Sequence, residues 1–352
     1  MQCPVIRNML LCSLAVALSA CSSSGPVVTR SFVADGEYDS EFPTTPTSSY
    51  LERMGESIQR LNAVAYYKTY FFGPQERFRL TDVGEAVLSA HEATSVYANS
   101  TTSGTATVIV SGSRRIAFLT CAHIVAFPDT LTAYFPGADR KPSPYVATVS
   151  ILKRTALYVA TLPEGGTVEV LALDRANDLA IVGHRYESSQ LLMPPVLPYA
   201  LGKSDELRWG TFLYLYGYPA GIKVVTRGIV SSPNKDKKHS FVVDAVFGRG
   251  FSGGICLALR DGVPNFEVVG LIKMVPAHSS YVLTPGREHE SDEIDLDLPY
   301  TGQIFIERRT EIEYGITQAI SAETVREFLD SHMLDLSQLG YPLERSFLGT
   351  DR

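Results

Sequence analysis

Long apolar runs and an excess of positive charge are both missing from this chain of 352 residues. Beyond the first twenty residues no stretch approaches the roughly 18 apolar residues that a membrane-spanning helix needs. The 31 basic and 38 acidic residues give a formal net charge of −7, so nothing favours nucleic acid as a partner. No internal repeat occurs at solenoid or propeller periods. These absences leave a globular domain of ordinary composition.

Patterns that bind metal ions are missing as well. The seven histidines form no pair with the H-E-x-x-H spacing of a zinc site. The acidic stretch from Glu288 to Asp297 lacks the spacing and the glycine of an EF-hand, which favours a solvated loop. We therefore expect neither a metal ion nor a cofactor.

The first twenty residues have a different composition from the rest. Arg7 is the only charge there, and an apolar run extends over residues 9–18, too short to cross a bilayer comfortably. This layout is typical of a secretory signal. The sequence LSAC at residues 18–21 resembles the bacterial lipobox, whose cysteine is lipidated and becomes the mature N-terminus. An ordinary signal peptide is the alternative.

The prediction is thus a lipoprotein signal over residues 1–20, with lipid on Cys21 as the only membrane anchor. The protein would be exported to the bacterial cell envelope, on the periplasmic face or the cell surface.

Cysteine is scarce, with five residues in the whole chain. Cys3 and Cys12 would leave with the signal, and Cys21 would carry the lipid. Cys121 and Cys256 remain for the folded domain. Export permits a disulfide between them, but two buried free thiols fit the sequence equally well.

The chain after the signal falls into four segments. Residues 21–49 are rich in Ser, Thr, Pro and Gly, which predicts a flexible tether. A capping box at Ser49 and apolar residues at helical spacing predict an N-terminal helical extension over residues 50–94. Residues 95–330 form the main domain, and residues 331–352 are a C-terminal tail.

Short apolar runs separated by turn residues fill most of the main domain, with a hairpin around residues 111–113. Long helical periodicity is absent, so we expect an all-β fold. A last helix is predicted after Ser321 as N-cap, with these residues on one face: Val325, Phe328 and Leu329.

The candidate nucleophile lies in the sequence GFSGG at Gly250–Gly254, which places Ser252 on a sharp turn. In the nucleophile elbow of α/β-hydrolases such a turn leads into a helix. Here two glycines and an apolar run of strand length, Ile255–Leu259, follow instead. The esterase interpretation therefore fails on local structure.

A serine hydroxyl needs a base, and the base needs an orienting acid. His123 follows an apolar strand, and Asp178 stands at the head of another apolar run. Asp174 is a rival acid, but a charged turn follows it. The order along the chain is then His, Asp, Ser, and each signal taken alone is weak.

Together these residues resemble the trypsin-like serine peptidases, and most closely the bacterial HtrA/DegP-type branch. The T-x-A-H motif stands at Thr120–His123 and the D-[IL]-A motif at Asp178–Ala180. The family's D-A-x-x-x-x-G-x-S-G-G stretch aligns without a gap at Asp244–Gly254. The likeness covers roughly residues 95–330.

The resemblance implies two antiparallel β-barrels with the active site between them. Ser252 would attack the scissile carbonyl, His123 would accept its proton, and Asp178 would orient the imidazole. The backbone N–H groups of Gly250 and Ser252 would form the oxyanion hole, which needs a backbone direction that glycine permits. The strand around Val268–Met274 would pair with the substrate backbone.

Two positions depart from the family. Phe251 replaces a small or polar residue, and we expect it to narrow or cover the cleft. Val246 lies where the floor of the specificity pocket would be, and an acid is absent there. An apolar or small residue before the cut is therefore expected, rather than Lys or Arg.

The expected function is an exported, lipid-anchored serine endopeptidase that hydrolyses polypeptides through an acyl-enzyme. The alternative is a catalytically idle barrel that acts as a binding or assembly module. Too few residues follow the barrels for a PDZ domain, so the trimeric behaviour of HtrA proteins does not transfer and the oligomeric state stays open.

Overall fold

β-Strands make up most of the structure, which is a computed structural model of the chain. It describes residues 34–112, 114–137, 141–187, 192–245, 248–274, 277–285, 304–312 and 316–349. Met1–Asp35 and Gly36–Arg352 form two separate units. Every element described below belongs to the second unit.

The elements are given in chain order for each half of that unit. The first half contains α1 (Ser48–Glu56), β1 (Ile58–Phe71), α2 (Glu85–Ala90), β2 (Val96–Ser111), β3 (Arg115–Thr120), α3 (Ala122–Val125), β4 (Thr130–Pro136), β5 (Pro142–Val159), β6 (Thr167–Asp174) and β7 (Leu179–Arg185). The second half contains β8 (Phe212–Gly217), β9 (Val224–Ser232), β10 (Phe241–Asp244), β11 (Ile255–Leu259), β12 (Phe266–Met274), β13 (Ala277–Pro285), β14 (Ile304–Ile312), β15 (Thr317–Ser321), α4 (Ala322–Gln338) and α5 (Arg345–Leu348).

The first barrel consists of six antiparallel strands in the order β1-β2-β3-β7-β6-β5, closed by pairing between β1 and β5. Strand β4 lies outside this ring and pairs with the first part of β5. Inward residues alternate along the strands, as Leu61, Ala63, Ala65 and Tyr67 do on β1.

The second barrel is closed by six antiparallel strands in the order β10-β15-β12-β11-β8-β9. Its core contains Phe241, Val243, Phe251 and Ile272, all nearly or fully buried. Strands β13 and β14 form a separate two-stranded sheet. The prediction of an all-β double barrel is confirmed.

The predicted N-terminal helix is wrong over most of its length. Helix α1 ends at Glu56, and residues 58–71 form strand β1, which pairs with β2 and β5. Leu61 and Ala65, which fit a helical period, also fit the alternation of a strand, because Ala63 and Tyr67 continue the same two-residue spacing and are buried as well. The aromatic residues that follow favour a strand. The segment is thus a wall of the first barrel rather than an extension.

The predicted tether is also too long at its C-terminal end. Tyr38 is 8% exposed and bridges to Arg260, and the Asp39 N–H donates to the Leu259 carbonyl at 2.9 Å. The Phe212 N–H in turn donates to the Asp39 carbonyl at 2.9 Å. Residues from Gly36 onward therefore form a strap on the second barrel.

The C-terminal residues pack on the domain instead of ending as a tail. Ser321 caps α4 by accepting from the Thr324 N–H at 3.2 Å, as predicted, and the helix continues to Gln338. Beyond it, Phe347 and Leu348 are buried, and the Arg326 guanidinium donates to the Leu348 carbonyl at 2.9 Å. In the described part of the chain, no helix is long and apolar enough to cross a membrane.

Candidate active site

Both barrels contribute to the candidate site. His123 lies in the short helix α3 after β3, and Asp178 immediately precedes β7, the neighbour of β3 in the sheet. The Ala122 N–H donates to the Asp178 carbonyl at 3.1 Å, which ties the two segments together. Ser252 comes from the second barrel, on the turn between β10 and β11.

The Asp178 carboxylate holds His123 through three contacts. His123 Nδ1 lies 2.8 Å from Oδ2 and 3.0 Å from Oδ1, and the His123 backbone N–H donates to Oδ1 at 2.9 Å. An ionised carboxylate only accepts, so the Nδ1 of a neutral imidazole carries the proton and Nε2 has the free lone pair. The side chain of His123 is 44% exposed whereas that of Asp178 is 10% exposed. A buried acid therefore orients a base that solvent or substrate can reach.

The backbone of Asp178 is in the left-handed region, with φ at 60°. Aspartate tolerates this region better than most residues, at a cost of about 1 kcal/mol. The conformation lets one residue offer its carbonyl to Ala122 and its carboxylate to His123.

The turn that carries Ser252 depends on glycine at position 250. Gly250 has φ at 102°, and a Cβ there would collide with the Tyr218 carbonyl oxygen. The turn is closed by the Gly254 N–H, which donates to the Phe251 carbonyl at 2.8 Å. Among the described residues, the N–H groups of Gly250 and Ser252 have no acceptor. They are available to bind an oxyanion.

The Ser252 hydroxyl donates to the Lys273 backbone carbonyl on β12 at 3.0 Å. A hydrogen bond between Ser252 Oγ and His123 is not formed within the described part of the chain. The structure thus joins the acid and the base, and it leaves the nucleophile bonded to a neighbouring strand.

Thr105 on β2 connects the serine turn to the first barrel. Its backbone N–H donates to the Ser252 carbonyl at 2.8 Å, and its hydroxyl donates to the Gly250 carbonyl at 2.9 Å. The same hydroxyl accepts from the Tyr218 N–H at 2.9 Å. The Thr105 carbonyl accepts from the Thr120 hydroxyl at 2.7 Å. Sequence reasoning missed Thr105, because a threonine within a strand carries no motif.

Phe251 does not lie over the cleft, so that prediction is wrong. Its side chain is 2% exposed and packs in the core of the second barrel, against the backbone of Gly217. An aromatic ring gains more from burial in that core than from exposure beside the serine. Val246 and Cys21, the predicted pocket floor and lipidation site, lie outside the described residues.

Both cysteines of the domain are free and fully buried. Burial raises the pKa of the Cys121 thiol well above its usual range, and the nearby Asp178 carboxylate raises it further. Burial likewise raises the pKa of Cys256.

One group of possible metal ligands occurs in the described part of the chain. Potential ligand atoms of Cys121, His123 and Asp178 lie within 4.8 Å of one another. Zinc requires a deprotonated thiol, and the buried Cys121 favours the protonated form, so the three residues fit a metal ion poorly.

Part of the chain is similar to a known family of domains. Residues 104–271 match the trypsin-like peptidase domain. No characterised protein matches the chain by sequence. Residues 104–271 are therefore similar to a trypsin-like peptidase domain. The resemblance inferred from the sequence is confirmed.

Two solved structures show low similarity to this chain. An HtrA-type protease, AlgW with a tripeptide, has a TM-score of 0.40 and 15% identity over 82% of this chain and 64% of that one. The serine endoprotease from Yersinia pestis has a TM-score of 0.40 and 15% identity over 84% of this chain and 69% of that one. The present chain spans less than two thirds of the length of AlgW.

Proposed function

We propose that this protein hydrolyses peptide bonds with His123, Asp178 and Ser252 as its catalytic triad. The observation that carries the proposal is the bonding of His123 to the Asp178 carboxylate, beside a serine turn with two N–H groups that have no acceptor among the described residues. The substrate would be a polypeptide, and neither a metal ion nor a cofactor is required.

Catalysis would begin when the Ser252 hydroxyl leaves the Lys273 carbonyl and donates to His123 Nε2. Ser252 Oγ then attacks the scissile carbonyl while Nε2 takes its proton, and the Asp178 carboxylate stabilises the imidazolium. The N–H groups of Gly250 and Ser252 bind the oxyanion, a contribution on the order of 3 kcal/mol for each donor. The imidazolium returns the proton to the leaving amine, and water repeats the sequence on the acyl-enzyme.

Labelling with a fluorophosphonate probe tests this mechanism. The probe should label the wild-type protein, and Ser252→Ala and His123→Ala should both abolish the label. Ser346→Ala, which changes an exposed serine on α5, is the matched control and should keep it. Cleavage of casein by the same proteins separates a peptidase from an esterase. Absence of labelling across pH and reducing conditions would contradict the triad.

A binding or assembly module is the second candidate. The bond between the Ser252 hydroxyl and the Lys273 carbonyl is consistent with it, because in this rotamer the hydroxyl is bonded to β12 rather than to His123. This candidate predicts that Ser252→Ala has no effect in any assay, whereas the peptidase proposal predicts loss of casein cleavage.

We also propose export and anchoring at the cell envelope through lipid on Cys21, with an apolar or small residue preferred before the cut because of Val246. The LSAC sequence supports the anchor. Cys21→Ala or globomycin should release the protein from the membrane fraction, whereas Cys12→Ala should not. Unchanged membrane association in Cys21→Ala would contradict the anchor.

A further inference from the structure

The strap holds the start of the folded unit at one end of the second barrel. The Gly36 N–H donates to the Asp261 carboxylate at 2.8 Å, and the Arg260 guanidinium donates to the Gly36 carbonyl at 2.5 Å. The Tyr38 side chain is buried, and its hydroxyl donates to the Glu267 carboxylate at 2.5 Å. The folded unit therefore begins at a fixed point, beside the turn between β11 and β12.

Ser252 lies at the opposite end of this barrel. Strand β11 begins three residues after Ser252 and ends at Leu259, whose carbonyl accepts from the Asp39 N–H of the strap at 2.9 Å. A strand of this length measures about 17 Å. The length of β11 therefore separates the strap from the serine turn.

Trp209, the one tryptophan in the chain, lies at the strap end of the barrel. On one side of it, the Arg208 guanidinium donates to both carboxylate oxygens of Glu37 in the strap, at 2.6 and 2.7 Å. On the other side, the Gly210 N–H donates to the Val230 carbonyl at 2.9 Å. Trp209 itself is 71% exposed. The largest apolar side chain of the protein thus stands in solvent beside the strap.

Two more large apolar side chains are exposed at the same end. Phe42 of the strap is 55% exposed and packs edge-on against Phe212, with 5.4 Å between the ring centroids. Phe212 is the first residue of β8 and pairs with Ile229 of β9, which is 43% exposed. The Arg227 guanidinium lies 5.0 Å from the centre of the Phe42 ring. We call Phe42, Trp209 and Ile229 the strap-end patch.

The composition of the strap-end patch is that of a membrane interface. Tryptophan and other aromatic side chains are enriched where hydrocarbon meets the headgroups. An arginine beside them keeps its charged end among the headgroups while its aliphatic stem covers apolar surface. Exposed apolar patches with a polar rim mark interaction sites. The composition therefore indicates a partner that is apolar inside and polar at its surface.

The length of chain before the strap identifies that partner as the lipid bilayer. Gly36 follows Cys21 by fifteen residues. A fully extended chain of this length reaches about 50 Å. A lipid on Cys21 would therefore keep the strap end close to the bilayer. The formal net charge of −7 does not favour attraction to anionic headgroups, so the contact would come from insertion of apolar side chains.

We propose that the strap-end patch inserts into the surface of the lipid bilayer and that Ser252 faces away from it. The inference rests on the proposed lipid anchor and goes beyond it, because a flexible tether alone would leave the domain free to rotate. Insertion gives the domain one orientation, in which the second barrel separates the bilayer from the serine turn. The substrates would then be polypeptides in the aqueous compartment rather than segments embedded in the membrane.

Fluorescence of Trp209 provides the first test, since no other tryptophan contributes. The mature protein with lipid on Cys21 is reconstituted into phosphatidylcholine vesicles whose acyl chains are brominated near the headgroup. We expect the emission to shift to shorter wavelength and to lose intensity several-fold relative to vesicles without bromine.

The outcomes of this test separate the patch from the anchor. Unquenched emission from protein that sediments with the vesicles would overturn the inference and leave the anchor intact. Protein that does not sediment would contradict both. Quenching in protein that lacks the lipid by mass spectrometry would support the patch and contradict the anchor.

The matched control moves the tryptophan to the site end of the barrel. Ile222 is 66% exposed and follows the Tyr218–Ala220 loop, which packs against Gly250. In the double variant Trp209→Phe, Ile222→Trp, brominated lipid should leave the emission unchanged. Equal quenching in this variant and the wild type would show that the domain has no fixed orientation, which overturns the inference.

Removal of the other two patch residues tests whether the patch acts as a unit. Phe42→Ser combined with Ile229→Ser should reduce the quenching of Trp209 several-fold, because less apolar surface enters the bilayer. Leu334→Ser combined with Leu339→Ser changes two exposed leucines at the end of α4 and is the matched control, which should keep the quenching. Unchanged quenching in the first variant would overturn the inference.

Dilution in detergent separates the bilayer from a second copy of the chain as the partner. A dimer that covers the patch would shift the Trp209 emission as the protein concentration rises, whereas the inference predicts no dependence on concentration. A concentration-dependent shift would overturn it.

Discussion

Asp178 presents acceptors to two different donors of His123, the backbone N–H and Nδ1. An amide can offer only one acceptor oxygen. In Asp178→Asn the side-chain oxygen would accept from the backbone N–H, and the amide NH2 would then face Nδ1. A donor at Nδ1 favours the imidazole tautomer with the proton on Nε2, which is the wrong one for a base. We expect kcat to fall roughly 10³-fold or more, with the fold retained, as measured on a chromogenic peptide.

The matched control is Asp174→Asn. Among the described residues its carboxylate accepts only within its own turn, from the backbone N–H groups of Ala176 and Asn177 at 2.9 and 3.0 Å and from the Asn177 side-chain amide at 2.5 Å. It should lower the melting temperature slightly and leave kcat near the wild-type value. A large loss of kcat in Asp174→Asn but not in Asp178→Asn would reverse the assignment of the acid.

Thr105 and Thr107 form a second matched pair on β2. Both are fully buried, but the Thr107 hydroxyl lacks a partner in the described part of the chain, whereas the Thr105 hydroxyl bonds to Gly250 and Tyr218. Thr105→Val would leave the buried Tyr218 N–H unsatisfied. We expect it to lower the free energy of unfolding by about 1–3 kcal/mol and to lower kcat.

Thr107→Val should be neutral or stabilising, because it removes a buried hydroxyl that has no partner. Urea titration with both variants measures the difference. Equal stability of the two variants would contradict the role given to the Thr105 hydroxyl.

At the scale of elements, the outer end of the first barrel has its own apolar cluster around Phe72 and Phe78, against which His91 packs edge-on. The carbonyl of Val87 and the carboxylate of Glu76 accept from the two ring nitrogens at 2.8 and 2.9 Å. Only the imidazolium has two N–H groups, so the Val87 carbonyl and then Glu76 raise the pKa of His91. The Gly73 N–H and then His91 lower the pKa of Glu76.

These shifts predict how the stability of this end depends on pH. The contribution of His91 to the free energy of unfolding is complete below its unfolded pKa of about 6.5. It is lost as pH rises through the higher folded pKa. The Glu76 contribution is present above about 4.5 and is lost as pH falls through its lower folded pKa. Protection from hydrogen exchange at Tyr70 and Phe72 should thus be greatest between about pH 4.5 and 6.5.

The decrease in hydrogen-exchange protection above about pH 6.5 should be weaker in His91→Gln. It should persist in His332→Gln, which changes a histidine on α4. A decrease of the same size in His91→Gln would contradict the role given to this histidine.

Sequence patterns predicted the type of most elements in the main domain, because the barrels consist of short apolar runs between turns. They failed at β1. Met54, Ile58 and Leu61 are spaced as in a helix, but the segment from Ile58 onward forms a strand because it pairs with β2 and β5. They also failed at Phe251 and Thr105. Tertiary packing sets the direction of the Phe251 side chain and the hydrogen-bond partners of Thr105, and a local sequence pattern shows neither. The motifs placed His123 and Asp178 correctly as neighbours, but motifs do not encode the rotamer of Ser252.

At the scale of the whole molecule, one apolar cluster includes residues of both barrels, such as Ile116 and Phe118 of the first and Tyr214 and Leu257 of the second. Shared burial of this kind couples the two barrels, so we expect them to unfold as one unit. The reactivity of the Cys121 and Cys256 thiols shows whether the barrels unfold together, because each cysteine is fully buried in a different barrel.

Thiol labelling in denaturant measures this coupling. Two proteins with one thiol each in the domain, Cys256→Ala and Cys121→Ala, should react with a disulfide reagent at the same rate after correction for stability. Neither should react in native buffer, since burial keeps both thiols protonated and inaccessible. Faster reaction of one thiol would indicate that its barrel opens first.

The bond from Ser252 to the Lys273 carbonyl has a quantitative meaning for turnover. A partly buried hydrogen bond of this kind contributes about 0.5–1.5 kcal/mol net. The competing rotamer, ready for attack, is then populated at roughly a tenth to a third of all molecules, and the rate of acylation falls by the same fraction. Such a bond slows an enzyme a few-fold and is far too weak to silence it.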